Sequence, residues 1–372
     1  MEDNISAVPE DTNSSGTITE TCGSHLMVTF QYYTWGVVAN IIAVYGLIGN
    51  TLSIIVLRHC QMRNSTSYYL ISLAIYDILV LLSMVLFMSL PTIYLEKNVM
   101  ENYFFAYKYM HPFVYPVALI AQTGTVYTTL ACTVERYIAV CRPLHAANTC
   151  TLSRTKRVIF IIFFCSITYN IPRFLEYKTI QVYDSFSNKT VPEVAYTDLG
   201  MNKIFQRVYF VYSYLIFMFL LPFGIISVLN ILLIRAVNNA RLDRNVISAS
   251  VSKEKNLTVM LIVLINTFLA CQLPALFDNI IFTISDQNKL RCSVAYVEFT
   301  TISNLLVVVN SAINFMLYCI VGKRFRHVFL KIFNLRKQKP RFKYTTHESS
   351  LYLRQRVNGY GTRVYDYTSS LL

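Results

Sequence analysis

The chain has 372 residues, 54% hydrophobic and only 14% charged, with a formal net charge of +13. Soluble domains carry about 25% charged residues, so this sequence lacks the polar surface to cover a water-soluble fold. An ordinary soluble enzyme is excluded, and the basic excess reads as a face meeting anionic lipid instead of a nucleic-acid site.

A bilayer core of about 30 Å is crossed by roughly 20 apolar residues in helical form. Seven such runs follow one another at about 34–57, 67–91, 112–140, 156–177, 207–235, 256–283 and 295–320. The expected fold is therefore an all-α membrane protein, a seven-helix bundle over 34–320. Residues 1–33 contain Glu2, Asp3, Glu10, Asp11 and Glu20 and no Lys or Arg, whereas the loops after spans one, three and five are basic. The positive-inside rule then places the N-terminus outside and the C-terminus in the cytoplasm. No signal-peptide pattern precedes residue 34, so the first span is expected to act as its own anchor. Sequons at Asn4, Asn13 and Asn188 fall on the outer side and are candidate glycosylation sites. Residues 321–335 suit a short amphipathic basic helix. Residues 336–372, rich in Ser, Thr and Tyr, suit a disordered cytoplasmic tail open to phosphorylation.

The polar residues inside the spans are few. Asp77 is the only charge well inside any of them, and a carboxylate at that depth is expensive unless partnered. Thr125, Asn310 and Asn314 are candidate partners, the last two four residues apart and so on one helix face. Such an oxygen-rich set suits either a hydrogen-bond network between helices or a desolvated Na⁺. Pro222 and Pro274 each remove one backbone hydrogen bond mid-span, as a hinge or as a fixed kink. Glu135 and Arg136 close the third span at its cytoplasmic end. Arg136 has two candidate partners, Glu135 beside it and Glu254 at the start of span six; the competing reading is an interfacial pair snorkelling to headgroups.

With these residues in hand, the sequence resembles the class A, rhodopsin-like G-protein-coupled receptors. Glu135-Arg136-Tyr137 resembles the motif ending helix three, Gly49-Asn50 that of helix one, and Leu73-Ala74 with Asp77 that of helix two. Pro222 and Pro274 match the prolines of helices five and six, and Asn314-Phe-Met-Leu-Tyr318 is a variant of the helix-seven motif. The resemblance implies sodium near Asp77 as the one cofactor candidate, release of Arg136 on activation, and a heterotrimeric G protein as partner. It further implies a receptor kinase and arrestin at the tail, and residence in the plasma membrane.

Departures stand beside the matches. The helix-three position that usually carries a disulfide Cys is His111, and residues 178–206 contain no Cys. Cys22 and Cys292 are then the remaining outer cysteines, a candidate pair. Gln272 stands for the usual Trp of helix six, Phe315 for a Pro, and Asn230 for a frequent Tyr.

A finer resemblance concerns the ligand. Ala118 occupies the position of the amine receptors' Asp, and span seven has no Lys for retinal. The block from Pro112 to Tyr127, with Asn170–Glu176 and Cys271-Gln-Leu-Pro-Ala, resembles invertebrate FMRFamide-type neuropeptide receptors. A peptide ending Arg-Phe-amide needs an acid for its guanidinium and aromatic surface for its ring. Glu176, Asp278 and Glu298 are the acid candidates. Tyr115, Tyr212 and Phe277, with Tyr209 and Phe282, are the aromatic ones, and Gln122 with Gln272 suits an amide. Alternatives are a receptor for another peptide, a constitutively active receptor without a ligand, and, remotely, a seven-helix transporter.

Overall fold

The computed structural model describes residues 25–97, 99–184, 188–242, 249–284 and 293–334. The chain divides into two units, Met1–Phe329 and Leu330–Leu372, and of the second only residues 330–334 are described. Among the described residues seven helices are long and apolar enough to cross a membrane. They are α1 (Met27–Arg58), α2 (Ser65–Lys97), α3 (Glu101–Cys141), α4 (Leu152–Leu175), α5 (Lys203–Asn239), α6 (Ala249–Ile284) and α7 (Val294–Val321). A short helix, α8 (Lys323–Ile332), follows α7 with its apolar residues gathered on one side; Phe325 and Val328 are buried.

Local chemistry sets the starts of these helices. The side chains of Asn64, Thr151, Asn202 and Ser293 accept hydrogen bonds from the first free backbone N–H groups of α2, α4, α5 and α7. The helices overrun the apolar windows of the sequence. Helix begins at His25, inside the stretch expected as a tail, and α3 starts eleven residues before 112. That longer α3 places Pro112 and Pro116 in its interior instead of at its start. Wide turns of the i→i+5 kind interrupt the regular helix at Tyr32–Val38, Val85–Ser89, Gln206–Ser213 and Leu215–Leu220, the last just before Pro222.

In lipid, helices associate through close packing, which favours small residues at the crossings. A Cβ on Gly46 would sit 2.8 Å from the Ala312 Cβ, so this glycine lets α1 approach α7. A Cβ on Gly124 would overlap the Tyr76 ring, fixing the approach of α3 to α2. Among the described residues, apolar clusters pack the bundle interior. One joins Trp35, Ala39 and Ala43 with Leu81, Met84, Val308 and Ala312; another joins Val126, Met218, Phe219, Phe223, Ile265 and Phe268. On α4, Phe160, Ile161, Phe163 and Phe164 point outward, as a lipid-facing surface should.

Between α4 and α5 the all-α expectation gains a β-hairpin. β1 (Tyr177–Asp184) pairs antiparallel with β2 (Lys189–Tyr196), Tyr177 facing Tyr196 and Asp184 facing Lys189. Residues of both strands, Thr179 and Glu193, contact α3 near Lys108, so this end of the bundle is called the hairpin end.

Candidate functional site

At the hairpin end the α4 terminus, the hairpin, α3 and α5 bring together a charged pair in an aromatic surround. Arg173 Nη1 donates to Glu176 Oε2 at 3.0 Å, and both side chains are almost fully buried. The guanidinium lies over the Tyr209 ring at 5.5 Å and the Tyr214 ring at 5.9 Å. Tyr209 is anchored through its hydroxyl to the carbonyl of Tyr169, and Tyr214 donates to Gln122 Oε1 at 3.4 Å. Burial raises the Glu176 carboxyl above its usual value, and the Arg173 charge pulls it back only in part. The Tyr177 hydroxyl is pushed up as well, first by burial and then by the neighbouring Glu176 carboxylate.

Next to this pair, His111 stacks on Tyr115 with centroids 5.7 Å apart and meets Tyr177 of β1 edge-on at 4.9 Å. Phe87 of α2 lies 5.1 Å from the same ring. Thr179 donates to the Lys108 carbonyl at 2.8 Å, Gln181 to the Tyr109 hydroxyl at 2.7 Å, and Lys108 pairs with Glu193 at 3.3 Å. Ring stacking and hydrogen bonds thus hold the hairpin to α3 at the position where the sequence lacks a cysteine.

The other acids lie elsewhere. Asp278 accepts from the Thr300 hydroxyl at 2.7 Å and lines a cavity of about 430 Å³ between the hairpin-end parts of α1, α2, α6 and α7. Glu298 is half-buried on α7. Among the described residues neither acid pairs with a basic side chain. Gln272 is buried within α6.

Three of the expected aromatic residues are not brought into the cluster, Phe282 lining the Asp278 cavity instead. Tyr212 is 48% exposed and Phe277 52% exposed, and neither stacks on a cluster ring. For Tyr212 the reason is the wide turn over Gln206–Ser213, which advances side chains less per residue than a regular helix. Tyr212 therefore does not share the face of Tyr209. Arg173, which sequence reasoning passed over, proves central; its signal was a cation three residues before Glu176 at a helix end.

Midway along the bundle Asp77 is fully buried, and Asn314 Nδ2 donates to its Oδ2 at 2.7 Å. Asn50 bridges α1 to α7 by donating to the Ser311 carbonyl at 2.8 Å. Among the described residues Asp77 Oδ1, Asn50 Oδ1 and Thr125 Oγ1 are buried oxygens with no hydrogen-bond partner within 3.5 Å, Ser311 being the hydroxyl beside Asp77. Asn310 is buried on the same helix as Asn314. An uncompensated buried oxygen is costly, so this donor set fits a small hard cation or water.

At the opposite end Glu135 of α3 sits in a cage of hydroxyls drawn from the two neighbouring helices α2 and α4. Ser65 and Thr155 donate to Oε2, the latter at 3.2 Å; Thr66 donates to Oε1 at 3.0 Å. Arg136 Nη2 meets the same Oε1 at 3.1 Å, and both residues of the pair are buried. The carboxylate thus joins α2, α3 and α4 while holding the arginine. The Cys150 thiol beside this cage is raised by burial first and by Glu135 second.

Residues 49–318 match the signature of the 7 transmembrane receptor (rhodopsin family). The chain belongs to that family. The receptor is 34% identical over 309 residues to an FMRFamide receptor of Drosophila melanogaster, 82% of this chain and 55% of the other. It is 28% identical over 296 residues to the FMRFamide peptide receptor frpr-18 of Caenorhabditis elegans, 78% of this chain and 67% of that one. A mouse neuromedin-U receptor 2 is 26% identical over 309 residues, covering 80% and 74%. The receptor therefore spans about half the length of its Drosophila relative.

The receptor's departures from the family pattern have local explanations. Phe315, in place of the helix-seven proline, packs on Phe325 and Phe329 with centroids 6.1 and 5.5 Å away. Gly49 makes room for it: a Cβ there would lie 2.9 Å from the Phe315 Cβ. Tyr318, buried behind it, lies 5.3 Å from Phe325. Asn230 donates to Asn266 Oδ1 at 3.0 Å, a neutral bridge from α5 to α6. Tyr137 continues α3 beside the cage. The Glu254 side chain, Cys22, Cys292, Asn4 and Asn13 lie outside the described residues.

Proposed function

We propose that the receptor sits in the plasma membrane with its N-terminus and hairpin outside, binds an amidated FMRFamide-like peptide at the hairpin end, and signals through a heterotrimeric G protein at the Arg136 end. The observation that carries this reading is the hairpin-end cluster of a rhodopsin-family bundle, where the Glu176 carboxylate, the Tyr209 and Tyr214 rings and the Gln122 side chain surround Arg173 or its neighbours, with a separate acid-lined cavity at Asp278. A short peptide with a basic residue and an aromatic amide end needs those groups. The names of the insect and nematode relatives support the same ligand class. Asn188 is exposed at the hairpin turn, which suits a glycan on the outer side.

On this reading Arg136, held by Glu135 in the present state, is the group a G protein competes for. Glu254 supplies a second partner across the bundle, Asn314 and Tyr318 relay between the Asp77 network and that end, and Na⁺ held by Asp77, Thr125, Asn310 and Asn314 favours the closed form. Receptor kinase and arrestin act on the tail, and Cys22 pairs with Cys292. A panel of amidated peptides, applied to cells with verified surface display and read by G-protein activation, tests the ligand class. Silence across an Arg-Phe-amide series would remove the peptide assignment. If the receptor instead signals without ligand, Glu254→Ala should raise basal output, and no increase would count against the inter-helix lock.

A further inference from the structure

The three outer acids are not equivalent, and their surroundings separate them. Glu176 is already matched: Arg173 holds it at 3.0 Å, and two tyrosine rings flank the guanidinium. A ligand arginine taking Glu176 would have to displace Arg173 from the carboxylate, an exchange of one guanidinium for another with no net gain in pairing. Asp278 offers the contrary case. Its Oδ1 accepts one hydroxyl from Thr300, and no basic side chain among the described residues pairs with it. A carboxylate has about four acceptor positions, so most of its capacity faces the cavity.

That cavity has the size and lining for a cationic side chain. Its volume of about 430 Å³ falls within the usual range of ligand sites, roughly 300–1,000 Å³. Trp35 of α1, Phe282 of α6 and Tyr296 of α7 contribute rings to the wall, with Met88, Thr300 and amide side chains such as Asn304 beside them. Aromatic faces around one carboxylate stabilise a guanidinium by cation–π attraction as well as by charge. We propose that this cavity, with Asp278 as its counter-ion, is the subsite for the arginine side chain of the peptide. The Arg173–Glu176 pair, matched already, then stays out of the arginine contact, and the tyrosine rings beside it offer aromatic surface to the rest of the ligand. The assignment rests on the peptide reading above.

The test uses the full-length receptor on cells, with Phe-Met-Arg-Phe-amide and its analogue carrying neutral citrulline in place of arginine as probes. Competition binding and G-protein activation are measured for the parent, Asp278→Asn, Glu176→Gln and Thr300→Val, each normalised to surface display. A hydrogen-bonded charge pair lost in a buried site corresponds to roughly a 10- to 100-fold preference of the parent for arginine over citrulline. Asp278→Asn should bring that preference close to unity by weakening only the arginine peptide. Glu176→Gln should lower both peptides alike and keep the preference, and Thr300→Val, which retains the carboxylate, should keep it too. An arginine preference that survives in Asp278→Asn, or that disappears in Glu176→Gln instead, overturns the assignment while leaving the peptide reading intact. A displayed parent that binds neither probe, nor any other Arg-Phe-amide, overturns both.

Discussion

Replacing Glu135 by glutamine tests the cage at the Arg136 end. The side chain keeps its shape, and the hydroxyls of Ser65, Thr66 and Thr155 can rotate to serve an amide as well as a carboxylate. What disappears is the charge facing Arg136 Nη2 at 3.1 Å. A buried hydrogen bond to a charged group contributes about 1.5–3 kcal/mol and a neutral one about 0.5–1.5 kcal/mol, so the loss is about 1–2 kcal/mol. If the pair exists only in the closed state, that loss raises the open population roughly 5- to 30-fold from a low base. The assay is nucleotide exchange on a G protein in agonist-free membranes, scaled to receptor number. As a control, Thr155→Val loosens the cage without touching the charge, and should lower thermal stability more than it raises basal exchange. Basal exchange in Glu135→Gln equal to or below that of the parent would refute the proposal that this pair restrains Arg136.

Three further outcomes are expected. Gly124→Ala places a methyl group inside the Tyr76 ring and should cost about 1–3 kcal/mol through forced repacking, read as a lower melting temperature and lower surface yield; unchanged values would show that α2 and α3 can separate freely. If the orphan oxygens around Asp77 hold Na⁺, then sodium should weaken agonist binding to the parent but not to Asp77→Asn, and an equal sodium effect in both would remove the ion from this site. Because the Glu176 carboxyl is raised in the folded state, the native receptor binds that proton more tightly than the unfolded chain does. The parent should therefore lose stability relative to Glu176→Gln as pH rises from the ordinary carboxylate value to the raised one; a difference that moves the other way in thermal-shift titration contradicts the raised value.

Much of the bundle was legible because hydrophobic length is a strong, local signal. The seven spans, Asp77 with Asn314, and Glu135 beside Arg136 could all be read from residue type and position. Helix ends were less legible: the tyrosine-rich stretch Glu101–His111, with charges at Glu101 and Lys108, continues α3 beyond the window chosen for a bilayer-length apolar run. The hairpin was missed because its residues 177–196 mix polar and apolar types without clean alternation, and its pairing depends on α3. The wide turn in α5 has no local sequence signature, so Tyr212 was assigned to the wrong face. Which acid is already neutralised is a three-dimensional property, and spacing alone could not separate Glu176 from Asp278.

The stack of His111 between Tyr115 and Tyr177 has a consequence for assembly and for handling of the receptor. A hairpin anchored by rings and hydrogen bonds reaches its place on α3 without an oxidation step at that joint. Reductants that would unclip a sulfur bridge have no bond to act on at this joint. The joint between hairpin and α3 thus behaves less like a rivet than like a friction catch.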